Sequence, residues 1–383
     1  MKRWRCIASF YIEKTFEKAE VVPVKAMILA AGKGTRVRPL TYDLPKPMIP
    51  ILGKPVMEYL VEHLAKYGVK QIMVNVSYLH EKIESYFGDG RRFGVEIGYS
   101  YEGELHNGEM IPRPIGSAGG MRKIQDFGGF FDETTLVICG DALIDLDIGA
   151  ALFEHRAKGA IASIVTKQVS PDEVSNYGIV VTDSAHRVLS FQEKPSKETA
   201  KSDLASTGIY IFEPQVLNFI PAGQSYDIGS ELFPLLVARG LPLYAQKRFF
   251  NWVDIGQIPD YWAVLQRVMM GEVAELEIPG TQIRDGVWVG LNTQIAEQSK
   301  IVGPVYIGSN CRIAAGSEII GPTWIGHGCD IGENARIEKS IFFEYARAPK
   351  NSTLKEVIVS GNFCVDRYGH SLEEGEGFPL PQR

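Results

Sequence analysis

The sequence predicts an α/β domain built on a mostly parallel sheet, residues 24–270, followed by a left-handed parallel β-helix of hexapeptide repeats, residues 281–341. Three observations carry this reading. A short apolar strand, Met27-Ile28-Leu29, runs straight into a glycine loop; strand and helix patterns then alternate to about Met270; and beyond Thr281 every sixth residue is Ile or Val. At 383 residues the chain exceeds one typical domain, which agrees with two.

Residues 1–23 precede both domains. A weak apolar run, Cys6 to Ile12, follows Lys2, Arg3 and Arg5 as in a signal peptide, but Glu13, Lys14, Glu17, Lys18 and Glu20 come at once and no small-residue cleavage site appears. A cytoplasmic location is expected rather than export. The opening strand of such a sheet usually lies within a few residues of the terminus, and valine can be encoded by an alternative start codon. Translation is therefore expected to begin at Val24, with 1–23 a loosely packed or disordered extension.

Within Met27 to Pro50 (MILAAGKGTRVRPLTYDLPKPMIP), Gly32 and Gly34 let backbone N–H groups close on an anion, and Lys33, Arg36, Arg38 and Lys46 supply positive charge. The loop reads as a polyphosphate cradle. Thr35, Arg36 and Val37 follow Gly-x-Gly, so the third glycine of a dinucleotide fingerprint is absent, and no Gly-Lys-Ser/Thr closes a P-loop. Pro45 and Pro47 bracket Lys46 and restrict its backbone. Further strands are expected at Ile72–Val76, Leu136–Cys139, Ile161–Thr166, Ile179–Val181 and Ile209–Phe212. A helix over Pro55–Tyr67 sets Val56, Leu60, Val61 and Leu64 on one face, with Pro55 in its first turn and Gly68 as its C-terminal cap. Such sheets bind ligands beyond the carboxyl ends of their strands, where both the glycine loop and Asp141 sit.

After a linker over 271–280, the ten residues counted in sixes from Ile283 to Ile337 are all Ile or Val, and the residue two before each is small, from Thr281 to Ala335. Inward β-branched side chains beside a small neighbour are what tight triangular coils need. About three 18-residue coils result, near the minimum for stacked repeats. Cys311 and Cys329, 18 apart, are expected to stack as small interior residues rather than as a disulfide or metal pair. His327 raises acyl transfer, but a lone histidine on a turn is ordinarily solvated and three coils leave little groove for a bulky acyl donor. An oligomerisation or regulatory platform, and hence a homo-oligomer, is expected. Residues 342–383 lose the register, with one strand expected at Val357-Ile358-Val359 and a mobile acidic tail from Glu373.

A net charge of -6 argues against a nucleic-acid binder, whose footprint would be basic, so any polyanion must be held by local cations. The cysteines, Cys6, Cys139, Cys311, Cys329 and Cys364, form no Cys-x-x-Cys pair, as in a reducing compartment without zinc or a disulfide framework. Neither nucleic acid nor membrane is an expected partner.

Five further segments follow the glycine-loop stretch in order: Cys139-Gly140-Asp141, Tyr177-Gly178-Ile179-Val180, Phe191-Gln192-Glu193-Lys194-Pro195, Ser206-Thr207-Gly208-Ile209-Tyr210 and Trp252-Val253-Asp254-Ile255-Gly256. Together the six resemble the signature of the sugar-1-phosphate nucleotidylyltransferases, the nucleotide-sugar pyrophosphorylases. The resemblance implies a Rossmann-like nucleotidyltransferase domain acting on a nucleoside triphosphate and a sugar 1-phosphate, with pyrophosphate released and Mg²⁺ as cofactor. It makes Arg36 the bridge between β- and γ-phosphates and Lys46 the holder of the attacking and attacked phosphates. Asp141 and Asp254 would bind Mg²⁺, with Asp145 and Asp147 open as alternatives to Asp141. Nucleotide contacts fall on Leu29, Ala31, Gly32, Lys33, Gly34, Thr35 and Gly140, with Gly116 and Ser117 in the base-reading loop. Glu193 and Lys194 would hold the sugar and its phosphate, Gly178 would let the backbone approach the ring, and Thr207 would lie beside it. Ser206 stands where the family often has Asn, so the sugar contact of that amide does not carry over.

The opening motif and hexapeptide tail resemble mannose-1-phosphate guanylyltransferases. The whole-chain pattern, with its longer segment Glu102 to Pro114 and its Cys-Gly-Asp-Ala-Leu-Ile-Asp run, is more similar to the cyanobacterial-type UDP-glucose pyrophosphorylases. UTP with glucose 1-phosphate is the expected pair, and GTP with mannose 1-phosphate the alternative. A non-catalytic regulatory subunit is the alternative of another class; it should lack one of Arg36, Lys46, Asp141, Lys194 or Asp254, and all five are present.

Overall fold

The structure, a computed structural model, describes residues 24–106, 108–273 and 276–372. The expected extension 1–23 and the acidic tail from Glu373 lie outside the described residues.

The strand Lys25–Leu29 is apolar from Ala26 on because both of its faces are covered: Ala26, Met27 and Ile28 are fully buried. It pairs in parallel with Gln71–Val76 on one side and Thr135–Cys139 on the other, at the centre of a nine-stranded sheet. From edge to edge the main path runs Val188–Glu193, Gly178–Thr182, Leu204–Phe212, Thr135–Cys139, Lys25–Leu29, Gln71–Val76, Glu96–Tyr101. Ala162–Gln168 and Leu243–Lys247 branch from Leu204–Phe212. The helix Val56–Lys66 buries Val56, Leu60, Val61 and Leu64, with Pro55 as its N-cap and Gly68 just past its end at φ +84°.

All five expected strands are present. One, Leu204–Phe212, begins five residues before Ile209, because Ala205 pairs with both Lys167 and Ile179. That pairing carries the polar residues Ser206 and Thr207 into the sheet, where a strand pattern keyed to apolar residues does not find them.

The second domain is a three-sided parallel coil. Residues pair 18 apart, Val287 with Val305 and Val305 with Thr323, so each hexad isoleucine stacks on the one a coil earlier. Ile301, Ile307, Ile313, Ile319, Ile325, Ile331 and Ile337 are all buried, each contributing roughly 1.5–3 kcal/mol on transfer from water. Two expectations are corrected. Ile283 is 54% exposed, because its strand Thr281–Arg284 turns back antiparallel and caps the coil instead of entering it. The coil also runs on past 341: Trp324 pairs with Ile341, and Ile341 with Ile358, at an offset of 17. One residue is missing from each of these two coils, which breaks the hexad count without breaking the ladder, and Val357–Val359 belongs to a further coil. Cys311 and Cys329 are buried free thiols, each donating to a carbonyl of the next coil, Gly326 O and Phe343 O, both at 3.1 Å.

The domains share a core. The helix Ile258–Met269 starts at a capping box between Gln257 and Asp260 and lays Tyr261 and Leu265 into a cluster with Trp324, Ile341 and Phe343. Tyr261 also donates to Pro50 O at 2.7 Å, and Trp262 Nε1 to Lys339 O at 3.2 Å.

Candidate active site

A cleft opens at the carboxyl ends of Lys25–Leu29 and Thr135–Cys139. Its rim begins with Gly34, at φ +60°, which starts the turn Thr35–Val37. A Cβ on Gly34 would lie 3.0 Å from Thr41 Cγ2 and 3.1 Å from Lys46 Cβ, so both its dihedral and its surroundings call for glycine. The glycine loop thereby presses on the segment that carries Lys46, and Thr41 Oγ1 donates to Gly34 O at 2.8 Å.

The carboxylates reach the rim on a two-stranded ribbon. Trp252–Asp254 runs antiparallel to Ala142–Ile144 with Asp254 opposite Ala142, which sets Asp254 beside Asp141. Gly140 lies beneath, its N–H donating to Leu29 O at 3.0 Å, with no room for a Cβ against Ile28. Lys46 Nζ pairs with Asp141 and lies 3.6 Å from Asp254 Oδ1. Burial, then the neighbouring Asp141 charge, pushes the Asp254 carboxyl up to about 6. Burial alone would lower the Lys46 ammonium, but Asp141 and Asp254 hold it above its ordinary range.

Two adjoining chambers flank this centre. The first, about 300 Å³, is lined by Leu29, Ala31, Gly32, Gly34, Gly116 and Ser117 of the expected nucleotide set. Lys33 and Thr35 are exposed outside its lining, and Gly140 is buried under it. The second, about 280 Å³, brings together Arg36, Lys46, Asp141, Lys194 and Asp254 with Gly178, Glu193 and Thr207. Glu193 and Lys194 are half-exposed, 3.6 Å apart. A Cβ on Gly178 would lie 2.3 Å from the Phe191 ring. The Thr207 hydroxyl is buried and donates to Val165 O at 2.9 Å. Asp145 and Asp147, the alternatives to Asp141, are engaged elsewhere: Asp145 accepts from Asn251 N and Nδ2, each at 2.6 Å, and Asp147 caps a helix through Ala150 N.

Three wall residues escaped the sequence reading. Asn75 Oδ1 accepts from Ala30 N at 2.8 Å, and its amide donates to the buried Glu102 at 2.7 Å, whose other oxygen accepts from Ile115 N at 3.1 Å. Burial pushes the Glu102 carboxyl up. Asp227 lines the second chamber beside Ser117, whose hydroxyl donates to it at 2.8 Å. An acid just before a helix, as in Asp227-Ile-Gly-Ser, is a cap signal that could have marked it.

A divalent cation fits the donor set. Among the described residues no group of three or more His, Cys, Asp or Glu could hold a metal, but two facing carboxylates are a donor set that a hard divalent cation takes when phosphate oxygens complete its shell.

A family model described as nucleotidyl transferase matches residues 25–270, and a bacterial transferase hexapeptide model matches 304–339. The chain is 54% identical over 351 residues to a UTP--glucose-1-phosphate uridylyltransferase of Synechocystis, covering 91% of this chain and 90% of the relative. It is 33% identical over 239 residues to a mannose-1-phosphate guanylyltransferase of Mycobacterium tuberculosis, covering 62% of each. A solved structure described as a glucose-1-phosphate thymidylyltransferase from Bacillus anthracis superposes with a TM-score of 0.55 at 24% identity, over 68% of this chain and 98% of that one, and shares its fold. No helix among the described residues is long and apolar enough to cross a membrane.

Proposed function

For this chain, which belongs to the nucleotidyl transferase family, we propose the reaction of UTP with glucose 1-phosphate to give UDP-glucose and pyrophosphate. The observation that carries it is the convergence of Arg36, Lys46, Asp141, Lys194 and Asp254 on one chamber. Two polyanions must meet there, and that chamber gathers three cations and a carboxylate pair.

In the reaction a phosphate oxygen of the sugar phosphate forms a bond to the α-phosphorus of UTP, and the bond from that phosphorus to the bridging oxygen of pyrophosphate breaks. No covalent enzyme intermediate is needed, so alignment and charge neutralisation are the main tasks. UTP enters the chamber of Leu29, Gly32, Gly34 and Gly116, with Arg36 on the departing phosphates. Lys46, charged throughout because of its two carboxylates, holds the attacking and attacked groups together. Glu193 accepts from sugar hydroxyls, Lys194 grips the sugar phosphate, and Gly178 keeps the wall thin. Asp141 and Asp254 would hold Mg²⁺, which when bound neutralises charge on the phosphates.

Similarity over nine-tenths of the chain to the uridylyltransferase favours UTP and glucose 1-phosphate. The guanylyltransferase similarity stops at 62% of either chain and makes GTP with mannose 1-phosphate the second reading. The setting is a cytoplasmic homo-oligomer that uses the β-helix for assembly. Pyrophosphate release measured with each pair decides: the larger kcat/KM should belong to UTP with glucose 1-phosphate, and a larger value for GTP with mannose 1-phosphate would replace the first reading by the second.

A further inference from the structure

We propose that the hydrogen bond between Ser117 and Asp227 is a positioning link that couples occupancy of the nucleotide chamber to the setting of Glu193 in the sugar chamber. It rests on the reaction proposed above. Ser117 lines both chambers, whereas Asp227 and Gly229 line the second. Ser117 Oγ donates to Asp227 Oδ2 at 2.8 Å and accepts from Ile228 N at 2.8 Å. Asp227 Oδ1 accepts from Gly229 N and Ser230 N, each at 2.9 Å, and so caps a π-helical turn, Ile228–Leu232. Both carboxylate oxygens are committed, one to each side of the boundary. π turns are rare and concentrate at functional sites.

The main chain ties the same two segments. Tyr226 N donates to Ile115 O at 2.9 Å, and Gly119 N to Tyr226 O at 2.8 Å. Gly116 sits at φ +78°, and a Cβ there would fall 2.5 Å from Tyr226 O; one on Gly119 would fall 3.0 Å from Gln224 O. With contacts this close, residues 115–120 do not shift without moving 224–228. On the far side, a Cβ on Gly229 would lie 2.9 Å from the Phe191 ring and 3.3 Å from Glu193 Oε2. The π turn therefore backs directly onto the side chains that face the sugar. Contact is continuous from Ser117 through Asp227 and Gly229 to Glu193. Nucleotide seated against Gly116 and Ser117 fixes that wall, so the sugar phosphate meets Glu193 already in place and loses less freedom on binding. Asp227 acts through its neighbours and is a positioning residue. Burial alone would raise its carboxyl, but donors from Ser230, Ser117 and Gly229 hold it below its ordinary range, so it stays an acceptor at neutral pH.

Equilibrium titration of glucose 1-phosphate with and without saturating α,β-methylene-UTP and Mg²⁺ reads the coupling. Wild type should bind the sugar phosphate on the order of fivefold or more tighter with the analogue present. Ser117→Ala keeps the cap on the π turn and should lose the enhancement. Asp227→Asn keeps the capping oxygen and offers its amide to Ser117 Oγ, so it should retain it. An unchanged enhancement in Ser117→Ala, or none in wild type, overturns the link while pyrophosphate release persists. A wild type that releases no pyrophosphate overturns the proposed reaction instead.

Discussion

Lys46 Nζ lies 3.6 Å from Asp254 Oδ1 while its other ion pair goes to Asp141. One ammonium thus serves two carboxylates that the ribbon holds side by side. Burial, then the neighbouring Asp141 charge, pushes Asp254 up to about 6. A divalent cation held by Asp141 and Asp254 would supply positive charge beside this pair. Each assigned role gives a measurable outcome.

Arg36 is exposed, lines the second chamber and supports no core packing. Arg36→Ala should lower kcat by roughly 10²–10³, as for removal of one charge-stabilising donor from a transition state. Its melting temperature should match wild type. Steady-state pyrophosphate release together with calorimetry checks both.

Asp254→Asn should abolish most activity and raise the Mg²⁺ concentration needed for half-maximal rate, because one of the two carboxylates proposed to hold the ion is gone. A Mg²⁺ titration of the rate reads this. Chelation with EDTA should silence wild type, and added Mg²⁺ should restore it.

Glu193→Gln keeps the shape of the side chain against Gly178 and Gly229 but removes its charge. Loss of charge-assisted hydrogen bonds of about 1.5–3 kcal/mol predicts a KM for the sugar phosphate raised about 10- to 100-fold. The KM for UTP should move little, which a two-substrate kinetic matrix would reveal.

His155 is fully buried, 2.8 Å from Ser163 Oγ and 3.1 Å from Glu213 Oε1. Burial lowers its pKa below the ordinary 6.5, so the folded chain binds this proton less readily than the unfolded one. Its contribution is therefore present above 6.5 and lost as pH falls below that value. His155→Gln should cost roughly 1–3 kcal/mol at pH 8, and the gap from wild type should shrink towards pH 5. Thermal unfolding across that range tests the slope.

What the sequence made legible was local or periodic. The glycine loop, Lys46 between two prolines, and acids at strand ends need only short windows, and the hexads announce their own coil. Glu102 and Asp227 did not show because their roles depend on partners 27 and 110 residues away, Asn75 and Ser117. No spacing rule links such positions until the sheet brings them together. The added coil beyond 341 was hidden by missing residues, one in each of two coils, since counting in sixes fails where the backbone ladder does not. Lys33 and Thr35 belong to the same motif by adjacency, yet they stand exposed outside the lining of the first chamber, on either side of the turn at Gly34.

The central claim is that the α-phosphorus of UTP is the atom attacked, and the fate of labelled phosphorus tests it most directly. With UTP labelled at the α-phosphate and glucose 1-phosphate supplied, the label should appear in UDP-glucose, and label at the γ-phosphate should appear in pyrophosphate. An α label retained in free UDP, with γ label passed to the sugar, would mean terminal phosphoryl transfer and would contradict the assignment.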